Sequence, residues 1–319
     1  MNPKNVLLIG GSGFVGGLIA NRLSERGIHV TIPTRRRDNT KRLILLPTVD
    51  MVDADVHDPR MLASLMRGVD AVINLVGILH DGDSSAPYGK RFAAAHVELP
   101  RKILAAMKQS GVRRLVHMSA LRATVDAPSA YLRSKAAGEA LVLAAMKDLD
   151  VTVFRPSVIF GAGDSFLNTF AALLRVFPIL PMGGVDARFQ PVYVGDVADT
   201  FVDALNKPAT FGHVYELCGP KAYSLRELVE YTGELIGRRR PVIGLPDALA
   251  YLQAGFLSWL PNPPMSPDNL RSMQLDSVTD GQHNYPDWQP QPLEAIAPSY
   301  LSAVQPNQRF NGYRCRAGR

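Results

Sequence analysis

Cysteine is nearly absent from this 319-residue sequence. The two that occur, Cys218 and Cys315, are far apart, which suits a reducing compartment and lacks the spacing of metal ligands. Long apolar runs are also missing, since none approaches the roughly 20 residues that cross a bilayer. The first apolar run begins within five residues of Met1, which leaves no room for a signal peptide. We therefore expect a cytoplasmic protein.

Charged residues make up 20% of the chain and hydrophobic residues 46%, which is ordinary for a globular protein that buries a core. The formal net charge of +6 comes partly from arginines clustered at 35–37, at 238–240 and near the C-terminus. Such a surplus marks either a solvated basic surface or a site for an anionic ligand or an anionic membrane. No motif indicates nucleic-acid recognition, so we expect no nucleic-acid partner.

The most informative stretch is residues 5–16, which read NVLLIGGSGFVG. An apolar run typical of a buried strand leads into glycines, and apolar residues at helical spacing follow. Gly10 would permit the tight turn, Gly13 would let the backbone approach a pyrophosphate, and Gly16 would let helix and strand pack closely. The helix N-terminus then favours a negatively charged phosphate. The segment predicts a dinucleotide-binding βαβ unit, although its first glycine gap is one residue longer than usual.

The second predicted strand runs from His29 to Thr34 and ends where such folds meet the adenosine ribose. Arg35 and Arg36 stand there instead of the acidic residue that would select NAD. Because a guanidinium can pair with a 2′-phosphate, we predict that NADP(H) is preferred over NAD(H). A solvated basic turn is the alternative interpretation.

Two further strands are predicted at Val49–Val52 and Ala71–Val76. After the first of these strands in the sequence, Asp55 either bonds an adenine amino group or caps the helix that follows. Behind the second, Gly77 marks either a close approach to a cofactor or a simple turn. On the next predicted helix, the apolar neighbours of His96 favour an interior role over a catalytic one.

A second informative segment, SAYLRSKAAGEALVLAA, lies between the fifth and sixth predicted strands. Its Tyr131 and Lys135 are four residues apart, so they share a helix face, and Ser119 ends the strand before it. In a carbonyl reduction Ser119 would hydrogen-bond the substrate oxygen and Tyr131 would supply the proton. Lys135 would lower the tyrosine pKa and hold the nicotinamide ribose. Coincidence is the alternative, but the order of these residues behind a glycine turn argues against it.

The regular alternation loosens beyond Gly161. The pattern there predicts helices at 166–177 and 197–205, strands at 190–193 and 214–218, and a capping box that begins at Ser224. We predict a Rossmann-like domain over residues 1–160 and a smaller α/β lobe over 161–302, interleaved with it above the strand ends. The polar, basic tail over 303–319 is predicted to be disordered.

Residues 246–264 combine an apolar helix with a proline-rich break. The segment either packs on the smaller lobe or forms an exposed lid, a membrane-surface segment or a partner-binding face. It lacks the Lys- and Arg-rich polar face of a strong interfacial helix.

The motifs together resemble the extended or atypical short-chain dehydrogenase/reductase superfamily over roughly residues 5 to 300. They are the three glycines, Ser119, the Tyr-x-x-x-Lys pair and RPSVIFG at 155–161. The segments SAYLRSKAAGEA, RPSVIFGAGDSF and QPVYVGDVAD resemble one branch closely. That branch holds the nucleotide-binding accessory subunit of mitochondrial complex I and its bacterial relatives, often grouped as NAD-dependent epimerase/dehydratase proteins.

This resemblance implies an α/β fold, namely a Rossmann-like doubly wound parallel sheet that binds NADPH. The cofactor-binding positions that we expect are Gly10, Gly13, Phe14, Val15, Gly16, Arg35, Arg36, Asp55, Val56, Leu75, Val76, Gly77, Lys135, Pro156, Ser157 and Val158. It also implies a link to quinone metabolism or a respiratory complex, with a peripheral position at the inner face of a membrane as one alternative.

Two functions are therefore open. The chain is either an NADPH-dependent oxidoreductase acting on a hydrophobic carbonyl or quinone-like substrate, or a protein that holds or senses NADPH without turnover. Ser119, Tyr131 and Lys135 favour the first, while the branch resemblance and the apolar segment favour the second. Sugar epimerisation or dehydration is less expected, because Ser119 stands only twelve residues before Tyr131. The motif after the fourth strand also departs from the asparagine-rich pattern of the standard group.

Overall fold

A computed structural model of the chain describes residues 3–35, 43–83, 85–259 and 263–302. Strands and helices alternate through its first half. In chain order they are β1 (Asn5–Ile9), α1 (Phe14–Glu25), β2 (His29–Thr34), β3 (Val49–Asp53), α2 (Pro59–Leu65), β4 (Ala71–Asn74), α3 (Lys90–Phe92), a π-helical segment (Ala93–Glu98), α4 (Leu99–Ser110), β5 (Arg114–Met118), α5 (Ala130–Ala144), a 3₁₀ turn (Ala145–Lys147) and β6 (Asp150–Pro156).

Shorter strands characterise the second half. Its elements are β7 (Ile159–Phe160), α6 (Leu167–Val176), β8 (Leu180–Met182), β9 (Arg188–Phe189), β10 (Val192–Tyr193), α7 (Val194–Ala204), a 3₁₀ turn (Pro208–Thr210), β11 (His213–Leu217), β12 (Tyr223–Ser224), α8 (Leu225–Leu235), β13 (Val242–Gly244), α9 (Asp247–Leu257), α10 (Pro267–Ser272) and α11 (Leu293–Leu301). None of the helices in the described part of the chain has the length and apolar character needed to cross a bilayer.

Within the described residues, seven parallel strands form one sheet in the order β11-β6-β5-β4-β1-β2-β3. The strand β1 is an inner strand of this sheet, where Leu7 pairs with Thr31 of β2 on one side and with Val72 of β4 on the other. Successive strands are added in opposite directions from this point, which makes the carboxyl ends of β1 and β4 a topological switch point. Open α/β sheets bind ligands at such points. The predicted Rossmann-like, doubly wound α/β fold is confirmed.

The core of this sheet explains why its strands read as continuous apolar runs. Strands β4 and β5 are buried along their whole length, and β1 is buried from Val6 onward. Parallel strands covered on both faces have this pattern. Side chains from the strands and from the covering helices α2, α4 and α5 form one apolar cluster, which includes Leu7, Leu62, Val72, Ile103, Leu115, Val142 and Val153.

The described residues divide into two compact units. The first consists of the residues up to 156 together with 194–217 and 279–288, and it holds the seven-stranded sheet. The second consists of 157–193, 218–278 and the described residues from 289 onward. Its own apolar core joins α6, α8, α9 and α11 through residues such as Leu174, Leu228, Val229, Ala254 and Ala297.

The strand predicted at 214–218 forms as β11, but it belongs to the main sheet and not to the smaller lobe. Val214 pairs with Val153 of β6, and Asp199 of the preceding helix α7 accepts a 2.8 Å bond from Arg22 of α1. The predicted tail at 303–319 lies outside the described residues. The partners of a parallel strand are distant in sequence, so the local pattern at 214–218 could not assign it to a sheet.

Candidate functional site

The glycine turn after β1 has the geometry that the sequence predicts. Gly10 adopts a φ of +87°, a left-handed conformation that residues with a Cβ rarely adopt. The N–H of Gly13 donates to the carbonyl oxygen of Gly10 at 3.1 Å. At Gly16 a Cβ atom would overlap with the Gly10 carbonyl oxygen and with the backbone of Gly11. The close approach of α1 to the turn therefore requires glycine at position 16.

The N-terminus of α1 faces this turn with backbone groups. Gly13 is its N-cap and supplies no side chain, and Phe14 and Val15 are the first helical residues. The Gly13 carbonyl oxygen accepts from the N–H of Gly17 at 3.0 Å, which starts the helical ladder. A helix N-terminus of this kind attracts anions through its N–H groups and its dipole.

The chain after β4 lies beside the same turn. The N–H of Leu75 donates to the Ile9 carbonyl oxygen at 2.9 Å, and a Cβ placed on Gly10 would be 3.2 Å from the Leu75 Cβ. Strand β4 ends at Asn74 and not at Val76 as predicted, because the Asn74 Oδ1 accepts from the N–H of Val76 at 3.2 Å. The structure thus brings the predicted residues 75 and 76 to the end of β1.

The ends of β2 and β3 bring Arg35 and Asp55 into one region. Thr34 pairs with Asp53 in the sheet, so the residues that follow these strands leave the sheet side by side. Arg35 and Asp55 are both exposed. Burial lowers the pKa of His57, with nearby Asp55 opposing that change and Arg35 adding to it. Arg35 and Asp55 therefore act on the same ring.

The alternative role of Asp55 as a helix cap is wrong. The Asp55 Oδ1 accepts from the N–H of His57 at 3.0 Å, whereas α2 is capped by Asp58, which accepts from the N–H of Arg60 at 2.8 Å. Val56 packs against the apolar core of the first unit. The predicted contact at Arg36 lies outside the described residues.

Ser119 and Lys135 converge at the end of β5. The Lys135 Nζ donates to the carbonyl oxygen of Met118 at 2.8 Å, and it lies 3.5 Å from where a Cβ on Gly77 would stand. The Ser119 hydroxyl is buried and has no hydrogen-bond partner among the described residues. A buried polar atom without a partner costs about 1–3 kcal/mol, so this hydroxyl is suited to bond a ligand.

Burial also changes the protonation of Lys135. It lowers the pKa of this amine to about 8, and the Glu139 carboxylate one turn further along α5 opposes that change. Glu139 is itself buried and accepts bonds of 3.0 and 3.1 Å from the Arg155 Nε. Arg155 neutralises the Glu139 carboxylate. That carboxylate therefore offsets less of the cost of burying the Lys135 charge than its position one helical turn away would indicate.

Tyr131 lies one turn before Lys135, and its ring packs edge-on against those of Phe92 and His96. Burial raises the pKa of its phenol to about 12. The expectation that Lys135 lowers this pKa is wrong for the chain by itself, because burial dominates and the lysine amine is held at Met118. Ser129 starts the helix by accepting from the N–H of Leu132 at 3.2 Å.

His96 lies in the π-helical segment, and both of its ring nitrogens are hydrogen-bonded. The Ser134 hydroxyl donates to the Tyr131 carbonyl oxygen, so it accepts from the His96 Nδ1 at 2.7 Å. The Nε2 accepts from the N–H of Ile78 at 3.0 Å. Burial lowers the pKa of His96 to about 2, which leaves the ring neutral. These contacts support the interior role, and π segments often occur at functional sites.

Sequence reasoning missed a buried polar pair behind the site. The Asn74 side-chain amide lies 3.2 Å from the His117 Nδ1. Since the Asn74 Oδ1 accepts from Val76, its NH₂ group donates to the histidine. Burial lowers the pKa of His117 to about 3. Asn74 follows the apolar run at 71–73, and His117 stands between Val116 and Met118, a signal that could have revealed them.

The three predicted residues at the end of β6 divide between the two units. Pro156 closes the strand, and its carbonyl oxygen accepts from the N–H of Leu121 at 3.1 Å. Ser157 and Val158 belong to the second unit. There the Ser157 hydroxyl lies 3.0 Å from the Ser277 carbonyl oxygen, and the Val158 carbonyl oxygen accepts from the N–H of Val192 at 3.0 Å. Their contact with a cofactor stays a prediction.

The residues of the first unit fit a dinucleotide. A Cβ would fill the cradle at Gly16, no side chain of the N-cap residue Gly13 caps α1, and the Ser119 hydroxyl is buried without a partner among the described residues. These features lie at or beside the carboxyl ends of β1, β4 and β5, where such folds bind their ligands.

Comparison with known proteins gives a consistent result. The model of the NAD dependent epimerase/dehydratase family matches residues 6–218. The chain is 31% identical to the Arabidopsis thaliana mitochondrial NADH dehydrogenase [ubiquinone] 1 alpha subcomplex subunit 9, over 85% of this chain and 69% of that protein. It is 28% identical to the ceramide reductase of Caulobacter vibrioides, over 79% and 76% of the two chains. The crystal structure of the Bordetella bronchiseptica enzyme WbmF in complex with NAD⁺ superposes with a TM-score of 0.65 at 21% identity, covering 85% of this chain and 91% of that one.

Proposed function

The chain belongs to the NAD dependent epimerase/dehydratase family, and on that premise we propose that it binds NADP(H) and reduces a hydrophobic carbonyl or quinone-like substrate. The observation that carries the proposal is the buried Ser119 hydroxyl, which has no hydrogen-bond partner among the described residues and lies beside Lys135. A substrate oxygen at this hydroxyl would satisfy it. Hydrogen-bond donors held at such a position stabilise the negative charge that develops on oxygen during reduction.

The dinucleotide would be held by the turn after β1 and by the ends of the neighbouring strands. When bound, it supplies the hydride. The proposed contacts are Gly10, Gly13, Phe14, Val15 and Gly16 for the pyrophosphate, Arg35, Arg36, Asp55 and Val56 for the adenosine end, and Leu75, Val76, Gly77, Lys135, Pro156, Ser157 and Val158 for the remainder. The exposed guanidinium of Arg35 supports NADP(H) over NAD(H), because it can pair with a 2′-phosphate.

The protonation of Tyr131 favours reduction over oxidation. Its pKa of about 12 keeps the phenol protonated at neutral pH, ready to donate from its hydroxyl to a substrate oxygen. An alkoxide is a stronger base than a phenolate, so this transfer is downhill. Oxidation would need the phenolate as a base, and burial disfavours that form. Lys135 would position the cofactor ribose from one helical turn away.

A second function is favoured by the same pKa. A protein that holds or senses NADPH without turnover needs no activated tyrosine, and some relatives by sequence are subunits of mitochondrial NADH dehydrogenase. In this alternative the chain would support a respiratory complex or quinone metabolism at the inner face of a membrane, with residues 246–264 as one contact surface. Lys135 would then serve only to hold the nucleotide.

The Tyr131→Phe variant tests turnover. If the chain is a reductase, the rate of NADPH oxidation with long-chain aldehydes or short-chain quinones falls at least 100-fold, while NADPH affinity changes less than threefold. The Tyr231→Phe variant of α8 is the control and should keep wild-type rates. Equal rates in Tyr131→Phe and wild type would contradict the assigned role.

The release of NADPH from the purified protein, followed by its fluorescence, separates the two functions. A reductase should exchange NADPH within seconds and bind it in the micromolar-to-millimolar range usual for enzyme substrates. NADPH that co-purifies and leaves over hours would instead support a structural cofactor. NADH is the control nucleotide in both experiments.

A further inference from the structure

Helix α9 of the second unit buries its small side chains and exposes several of its large apolar ones. Ala250 and Ala254 are buried against the core, at 2% and 0% exposure. A Cβ on Gly183 would overlap with the Ala250 Cβ, which shows how close this contact is. The large apolar side chains at spacings of three and four residues face solvent instead, and they are Leu249, Leu252, Phe256 and, just past the helix, Trp259. A surface helix normally has the opposite arrangement.

An apolar cavity of about 190 Å³ opens between this helix and its neighbours in the second unit. Most of its lining is apolar, including Phe177, Pro181, Met182, Leu257 and Met265. An apolar cavity of about 150 Å³ stays dry and binds benzene or xenon, so this one can take a short hydrocarbon segment.

The cavity and the exposed side chains belong to the same surface. Phe177 and Pro181 line the cavity and are themselves exposed, and Ile243 pairs with Pro181 across β8 and β13. The Gln253 side chain fixes α9 to this pair by donating to the Pro181 carbonyl oxygen at 2.9 Å. We call this the apolar face, formed by the exposed residues Val176, Phe177, Ile179, Ile243, Leu252 and Phe256.

Basic residues lie near the residues of the apolar face in the sequence. The segments that carry it, residues 173–182 and 236–259, contain Arg175 and the three arginines at 238–240 but only one acidic residue, Asp247. Of these arginines, Arg239 forms an ion pair with Glu234 at 3.2 Å. Helix α9 has no basic residue of its own, so the positive charge comes from Arg175 and from the arginines at 238–240, which precede the helix in the sequence.

We propose that the apolar face binds an anionic membrane surface and that its cavity receives part of the acyl chain of one lipid. Apolar side chains would enter the headgroup boundary while the arginines meet anionic headgroups, the combination typical of peripheral membrane proteins. A second copy of the chain fits less well, because a two-fold interface through this face would bring both sets of arginines together. The proposal does not depend on turnover at Tyr131.

The tryptophans provide a direct readout, since the chain has only two. In a Trp288→Phe variant, Trp259 is the remaining reporter. Vesicles that contain phosphatidylglycerol with brominated acyl chains should quench its emission by more than 30%, and pure phosphatidylcholine vesicles with the same bromination should quench it less than 10%. A Trp259→Phe variant, which keeps Trp288, should show no quenching.

Two sets of variants separate the surface from the cavity. Leu252→Glu with Phe256→Glu should reduce vesicle flotation at least tenfold, while Leu45→Glu, an equally exposed leucine in the first unit, should not change it. Thr169 lines the cavity, so Thr169→Trp should weaken binding of soluble dihexanoyl-phosphatidylglycerol at least tenfold. Thr169→Ser keeps the hydroxyl that donates to the Ser165 carbonyl oxygen, and it should bind like wild type.

NADPH binding is measured on every variant, so that a loss of nucleotide binding is not confused with a loss of lipid binding. The proposal would be overturned if the protein binds NADPH normally but brominated anionic vesicles do not quench its Trp259 emission. The proposal would also be overturned, in favour of a second copy, if light scattering shows a stable dimer and the double variant Leu252→Glu with Phe256→Glu is a monomer. If Thr169→Trp binds both vesicles and the soluble lipid like wild type, the proposed role of the cavity is overturned.

Discussion

The amine of Lys135 lies 2.8 Å from the carbonyl oxygen of Met118, which ties helix α5 to the end of the strand that precedes Ser119. Burial lowers the pKa of this amine to about 8, so the contact is made by a charge that the interior disfavours. A group kept at a cost in stability is a mark of functional sites. This relationship leads to the first prediction.

Replacing Lys135 by Met should stabilise the free protein and weaken NADPH binding. The folded state binds fewer protons than the unfolded chain between pH 8 and 10.5, so wild-type stability rises with pH across this range. From pH 7 to 9.5 the rise due to Lys135 is about 2 kcal/mol, and it should be absent from Lys135→Met. Urea unfolding at both pH values measures it. An equal rise in the variant would show that Lys135 is not the titrating group.

Arg35→Ala should weaken NADPH binding about tenfold and leave NADH binding within twofold of wild type. The loss reflects the missing partner of the 2′-phosphate, which NADH does not carry. Fluorescence titration of both nucleotides gives the ratio. Arg26→Ala, an exposed arginine at the C-terminal end of α1, is the matched control and should change neither affinity. A parallel loss for both nucleotides would mean that Arg35 does not select NADP(H).

Gly16→Ala should reduce NADPH affinity more than tenfold and destabilise the protein by about 1–3 kcal/mol, because the new methyl group overlaps with the Gly10 carbonyl oxygen. Gly255→Ala in α9 is the control, since its Cβ would meet no described atom within 4 Å. That variant should gain about 0.5–1 kcal/mol from helix propensity. Normal NADPH binding by Gly16→Ala would contradict the assigned role of the turn.

His117→Gln should make the protein less sensitive to acid. Burial lowers the pKa of His117 to about 3, so the unfolded chain takes up its proton first as the pH falls. The stability linked to this residue is complete above about pH 6.5 and is lost as the pH falls towards 3. Between pH 7 and 5 the variant should lose about 2 kcal/mol less than wild type in urea unfolding. His29→Gln, at an exposed histidine, should behave like wild type.

The sequence predicts the first half of this fold well because its signals are local. Strand β2 forms at the predicted residues, and the glycine turn and α1 follow β1 as expected. The Tyr131 and Lys135 pair lies on one helix that follows a strand ending just before Ser119, since spacing along a helix fixes which residues share a face.

What the sequence could not give depends on contacts between distant residues. The pKa of Tyr131 is set by the burial of its ring beside Phe92 and His96, which are 39 and 35 residues away in the chain. The place of β11 in the main sheet depends on its pairing with β6, which no local pattern reveals. The hydrogen bond from Gln253 to Pro181, which joins α9 to β8, is likewise invisible in a linear pattern.

The first unit is assembled from three stretches of the chain, and the last of them has a consequence for synthesis on the ribosome. Within residues 279–288, Tyr285 donates to Asp203 at 2.7 Å, and the carbonyl oxygen of His283 accepts from the N–H of Glu216 at 2.8 Å. The edge of β11 therefore receives the hydrogen bond to His283 only after most of the chain has been translated. Until then the nascent sheet has an unprotected edge strand, at which a chaperone can bind or another chain can pair and aggregate.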